Sequence, residues 1–226
     1  FISTLIISNN AFSMNFSISP VINDLVADKK VMTTYYTLSS NSSENIYLKI
    51  YAKKIVNAKL DNEEEISPDG LSSLILTPEK LILRPYEVKK VRSFIKTDPY
   101  SSEEIYRIYF EQVSDFESFD NHPETAATGV LPLKLQLSSV LKVIPKFSKA
   151  VVSNRNGRIF NSGNRHLRIT EKCMKQEEND CRWEPIKTHL NLYPNNEIDW
   201  ETSELKGSTL VKYILPPDDT KFIHPR

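Results

Sequence analysis

Few residues in this chain have the type and spacing that chemistry requires. The four histidines, His122, His166, His189 and His224, are scattered, and none stands in an H-x-x-x-H pair that could grip a metal ion. There is no G-x-S-x-G turn to present a nucleophilic serine and no glycine-rich phosphate loop. Glu103 and Glu104 are adjacent, and in an extended chain neighbours project to opposite sides, so they do not form a working carboxylate pair by themselves. The chain therefore reads as a non-enzyme with no catalytic residue, no metal site and no cofactor. A glycan-cleaving enzyme would have to assemble its two carboxylates from distant segments.

What remains is chemistry of binding and cross-linking. Cys173 and Cys181 enclose the polar stretch MKQEEND. Two thiols alone cannot make a four-ligand zinc site, and in an exported protein a near pair flanking a turn reads as a hairpin disulfide, two free buried cysteines being the alternative. Arg107 sits in EEIYRIYFEQV among aromatic and β-branched residues, where its planar fork could hold a carboxylate in two parallel hydrogen bonds. The plainer alternative is a cross-strand pair with an exposed Glu, contributing under about 1 kcal/mol. Most conspicuous is LPLKLQLSSVLKVIP, which sets Leu131, Leu133, Leu135 and Leu137 at every second position. Period two marks a strand with one apolar face. Pro132 inside it has no N–H to give a central ladder, which places the strand at a sheet edge. A long apolar edge is an aggregation hazard, so it needs a cover.

The elements that position these residues are strands. Short β-rich runs bounded by Asn, Asp, Ser, Gly or Pro dominate: MNFSISPVI, KVMTTYYTLS, NIYLKIYAKKI, LSSLILTP, KLILRP, KKVRSFIK, EIYRIYFEQV and the leucine run. About eight such strands before residue 145 predict an immunoglobulin-like sandwich. A second series, RIFNS, HLRITEK, RWEPI, THLNLYP and TLVKYILP, predicts a smaller β-sandwich over 146–226, with the junction near Pro145. Asn156-Gly157 and Ser162-Gly163-Asn164 supply turn residues that tolerate positive φ. The fold expectation is all-β, two immunoglobulin-like β-sandwich domains.

Composition bounds the partners. The 226 residues suffice for two domains of about 100 residues each, and the 39% apolar content is enough for a packed core. Lys plus Arg and Asp plus Glu both number 29, a balance that gives no support to a nucleic-acid partner. No run of about 18 apolar residues is present to insert in a membrane as a helix. The first segment, FISTLIISNNAFS, ends in the small-x-small pattern Ala11-Phe12-Ser13, which reads as the remnant of a secretion signal over 1–13, a first β-strand being the alternative. The first domain then runs over 14–145.

Four segments taken in order, TPEKLILRPYEVKKVRSF, EEIYRIYFEQV, LPLKLQLSSVLKVIP and NGRIFNSGNRHLRITEKC, resemble the periplasmic chaperones of the chaperone–usher fimbrial pathway. The phrasing is nearest the alternate branch that serves colonisation-factor and common-pilus fimbriae. The resemblance implies two immunoglobulin-like domains in an L-shaped arrangement, a periplasmic location, fimbrial subunits and an outer-membrane usher as partners, and self-capping by a second copy as another cover for the strand. It also implies donor-strand complementation: a pilin sandwich that lacks one strand takes the chaperone's leucine strand in its place. Leu131, Leu133, Leu135 and Leu137 would be the donor residues, and burying them gives a gross gain of about 6–12 kcal/mol before ordering costs. The other reading is an exported adhesin or pilus subunit.

The family anchors the terminal carboxylate of its pilin on two basic residues, and here this sequence departs from it. The first strand, NFSISPVINDL, carries no basic residue, and the position aligned in the leucine strand falls near Val140. Arg107 and Lys142 are the expected substitutes. A further departure is Tyr86, which follows L-x-P where the family often has glycine, so a different turn type is expected there.

Overall fold

The computed structural model describes residues 15–58, 63–67, 73–97, 101–113, 135–177 and 180–226. The remnant of a signal expected over 1–13, and Leu131 and Leu133, lie outside the described residues. Among the described residues every regular element is a strand. Alternation explains this directly. In β4 (Ile46–Val56) the side chains of Ile46, Leu48 and Ile50 are buried while Tyr47, Lys49 and Tyr51 are half-buried on the other face, as a strand with one face on a core requires.

The first sandwich packs a four-stranded sheet against a six-stranded one. The smaller sheet holds β1 (Phe16–Ser19), β3 (Val31–Ser40), β8 (Val88–Lys96) and β6 (Leu74–Thr77), in that order. The larger runs β2 (Ile22–Ala27), β10 (Gln136–Pro145), β9 (Glu104–Val113), β4 and β5 (Glu64–Ile66), with β7 (Lys80–Leu83) beside the other half of β4. Between them lie Phe16, Tyr36, Leu38, Leu48, Ile50, Val91, Ile95, Tyr106, Ile108, Phe110 and Leu141, all almost fully buried. Tyr36 and Phe110 meet edge to face at 5.7 Å, the geometry that aromatic quadrupoles favour. The segment MNFSISPVI, one strand by its sequence, is two: it crosses between the sheets at the cis Ser19–Pro20 bond, because a proline ends the first ladder.

The second sandwich uses β11 (Val152–Arg155), β12 (Arg158–Asn161) and β15 (Glu197–Asp199) in one sheet. The other sheet is β14 (Asp180–Leu192), β13 (Leu167–Glu177), β16 (Leu210–Leu215) and β17 (Asp218–Pro225). Trp200, Leu205, Ile159, Leu167, Ile169, Leu192 and Val211 form its core. RWEPI and THLNLYP are a single strand, β14, and Pro185 sits in it on the sheet edge where no donor is needed. Asn156 and Gly157, with φ of 48° and 75°, make the two-residue turn of the β11–β12 hairpin, in which Arg155 pairs with Arg158. Gly163 is glycine for another reason than positive φ: a Cβ there would lie 2.1 Å from the Lys149 carbonyl oxygen.

Two expectations change. Arg84–Glu87 closes with a Glu87 N–H to Arg84 carbonyl bond of 3.1 Å, and Tyr86 lies at φ 56°. Pro followed by a positive-φ residue is the order that type II turns use, so this turn keeps the left-handed backbone that glycine favours and Tyr86 bears the strain. The leucine strand is not an edge throughout. β2 pairs with β10 in parallel from Val140 to Pro145, making that part internal. Over Gln136–Ser139 the ladder partner is β9 alone among the described residues.

Candidate functional site

The leucine strand presents two faces of different character. Its odd-numbered residues face the core: Ser139, Leu141 and Val143 are buried, and Leu135 and Leu137 pack half-buried against the same cluster. The Ser139 hydroxyl donates to the Pro20 carbonyl at 2.8 Å, and the Val140 N–H donates to the Val21 carbonyl at 2.9 Å. Those bonds mark where β2 takes up the edge of β10. Before them, Gln136–Ser139 have β9 on one side, while their leucine face prolongs the core face. The apolar stripe thus passes from the protein's own core onto a stretch whose second edge has no ladder partner among the described residues.

The even-numbered residues face outward, and cross-strand register sorts them into rungs. One rung runs Ile22, Val140, Arg107, Lys53; the next runs Asp24, Lys142, Ile105, Ile55. Arg107 and Lys142 therefore share a face on adjacent rungs, at the diagonal spacing of roughly 7–8 Å. Their surroundings differ. Arg107 binds Glu65, which also accepts from the Tyr109 hydroxyl at 2.7 Å and lies 3.6 Å from the Lys53 ammonium. Partial burial opposes it, but these donors hold the Glu65 carboxyl below the usual carboxylate value. Tyr51 stacks on Tyr109 at 5.1 Å, and Gln136 donates to the Tyr51 hydroxyl at 2.7 Å.

Lys142 instead lies at the junction of the sandwiches, 3% exposed. Its ammonium is 3.4 Å from the Asp24 carboxylate and 3.4 Å from His166 Nε2. Ile55 and Ile105 on the same rung pack with Tyr193 of the second sandwich. Asn196 donates to the Ala58 carbonyl at 2.6 Å, and Asn164 to the Ser101 carbonyl at 3.0 Å. Beside this contact is a cleft of about 390 Å³. Ile22, Asp24, Val140 and Lys142 form one wall, and Arg168, Asn191 and Tyr193 form the other. Arg168 donates through Nε to Asn191 at 3.2 Å. Burial, with Glu103 and Asp24 nearby, pushes the Tyr193 phenol above its usual value, so it stays a neutral donor.

The structure thus brings Lys142 to the cleft and places Arg107 one rung away against Glu65. Arg168, Asn191 and Tyr193 carry no mark in the sequence, since register across the junction is not a local property. One signal was present: Ile55 is an apolar residue on the Tyr47, Lys49, Tyr51 face of β4, which a solvated face does not call for. The cysteines are joined, with Cα atoms 5.7 Å apart, across the β13–β14 hairpin, as their spacing suggested.

Two immunoglobulin-like sandwiches in tandem are the architecture of the fimbrial chaperones, and this chain has that fold. A crystal structure of the class 5 fimbriae chaperone CfaA superposes with a TM-score of 0.67, at 24% identity over 94% of this chain and 99% of that one. A protein of Escherichia coli named as a CS1 fimbrial subunit is 28% identical over 193 residues, 82% of this chain and 79% of its own length. The probable fimbrial chaperone EcpB of Escherichia coli O157:H7 is 25% identical over 166 residues, 73% of this chain and 72% of its own. No family model matches the sequence.

Proposed function

We propose that this chain is a periplasmic chaperone of fimbrial subunits, which lends each one its leucine strand and passes it to an outer-membrane usher. The observation that carries the reading is the stripe on β10, apolar side chains in core register beside a backbone edge that β2 leaves open before Val140. An unfinished pilin sheet would satisfy both needs at once: its groove takes the side chains and its backbone takes the N–H and C=O groups. Leu131, Leu133, Leu135 and Leu137 are the donor residues in this reading, and 14–145 and 146–226 are its two domains. A non-enzymatic holder of this kind requires no cofactor.

The terminal carboxylate of the bound pilin is assigned to the cleft. Lys142 and Arg168 face that space from opposite walls, and a carboxylate between two cations makes short, charge-assisted bonds. Arg107, already held by Glu65, joins only if Glu65 releases it. The reading as a structural component of a pilus is weaker, despite a relative whose name says fimbrial subunit. A pilin's own sandwich is left open by a missing strand, whereas β10 here completes the larger sheet between β2 and β9.

The test is co-expression with the fimbrial subunits of the same gene cluster, followed by affinity purification from periplasm. A one-to-one complex is expected. Leu135→Asp, which sends a charge into an apolar groove, is expected to abolish it while far-UV circular dichroism stays native. Pilins that survive and co-purify with the Asp variant would overturn the donor assignment.

A further inference from the structure

The cleft lysine does not stand alone. Behind it runs a buried polar chain that crosses the junction: Glu103, just ahead of β9, then His166, just ahead of β13, then Lys142 on β10, then Asp24 on β2. The Glu103 and His166 side chains are fully buried. Glu103 accepts twice from His166, from its backbone N–H at 2.6 Å and from ring Nδ1 at 2.8 Å. A carboxylate accepts and does not donate, so Nδ1 carries the ring proton. Nε2 faces the Lys142 ammonium at 3.4 Å, and because an ammonium only donates, Nε2 meets it as the acceptor. Tyr193 packs on the same ring with centroids 5.5 Å apart.

We infer that His166 is a positioning residue for the anion-binding lysine: with its tautomer set by Glu103, it accepts one ammonium proton of Lys142 and so aims the rest of the group. The count of donors makes this useful. An ammonium has three N–H groups. His166 Nε2 takes one, the Asp24 carboxylate faces the group at 3.4 Å as an ion pair rather than a hydrogen bond, and the rest are left for the cleft that Lys142 lines. A lysine stem with four rotatable bonds is a poor anchor until its head is fixed. Here the second sandwich supplies the fixing group, so a pilin terminus meets a prepared cation only when the two sandwiches are docked.

This rests on the chaperone reading for its ligand, but the positioning itself is measurable without one. In the wild-type protein labelled with nitrogen-15, long-range imidazole spectra are expected to show His166 as the Nδ1–H tautomer, and a distinct Lys142 ammonium signal protected from exchange. A Nε2–H tautomer would overturn the inference outright. Two variants separate positioning from mere packing. His166→Gln puts an amide oxygen where Nε2 was and keeps an acceptor for Lys142. His166→Asn keeps a donor to Glu103 and loses that acceptor. The Asn variant is expected to exchange the Lys142 ammonium protons about ten- to a hundredfold faster, the effect of one lost hydrogen bond to a charged group, while Gln stays near wild type. Equal losses in both variants, or none in either, would show that the ring only fills space. Failure of the chaperone reading would appear separately, as absence of pilin complexes with the ammonium signal intact.

Discussion

At the scale of the residue, the informative side chains are those that break a local rule. Tyr86 holds a φ of 56° while 71% exposed, so it bears left-handed strain of about 1–2 kcal/mol without packing to offset it. Tyr86→Gly removes the strain but frees the unfolded chain by about 0.4–1 kcal/mol. The expected outcome in chemical denaturation is no loss of stability and a gain of up to about 1.5 kcal/mol. Glu65 offers a pH test. Its folded pKa lies below the ordinary value of 4.5, held there against partial burial by Tyr109, Arg107 and Lys53. A depressed carboxyl contributes stability that is complete above its unfolded pKa and is lost as pH falls through the folded one. Stability measured from pH 6 downward should therefore fall less steeply below 4.5 in Glu65→Gln than in the parent protein.

At the level of the element, strand β10 is held unequally along its length. Its second half is locked between β2 and β9, and its first half is held by β9 alone among the described residues. Substitutions should divide accordingly. Leu141→Asp buries an unpaired charge in a fully enclosed position and is expected to prevent folding, whereas Leu135→Asp is expected to spare the fold and abolish pilin capture. The β13–β14 hairpin is stapled by Cys173–Cys181 across a sequence separation of 8. Closing so short a loop contributes about 2–3 kcal/mol by the chain-entropy argument. Double replacement by Ser should lower urea stability by that amount, measured against the oxidised parent, with the second sandwich melting first.

At the scale of the whole molecule, the joint between the sandwiches is as specific as either core. Ile55, Ile105 and Tyr193 give it an apolar centre, and the Glu103–His166–Lys142 chain gives it direction. Because Ile105 is on the outer face of β9, Ile105→Asp leaves both cores intact and places a carboxylate at the joint. The cost is roughly 2–4 kcal/mol of coupling. Calorimetry should then resolve separate melting of the two sandwiches, and limited proteolysis should cut near the Pro145 corner. A single cooperative transition in that variant would mean the sandwiches communicate by another route.

The strands, the two-sandwich class, the disulfide and the leucine stripe are legible along the chain. All are local: alternation at period two, turn residues at strand ends and the spacing of two cysteines can be read along a few residues. The sequence also pointed to Lys142 as a residue of the joint. The fold settles what depends on register between segments far apart. It put Arg107 against Glu65, 42 residues away in sequence. It split the first strand so that β2 covers β10 only from Val140 onward. It set Arg168, Asn191, Tyr193 and His166 around the lysine, from a second sandwich whose docking no periodicity encodes. Alternation says which side of a strand a residue faces. Only the pairing of strands and the packing of sheets say what waits there.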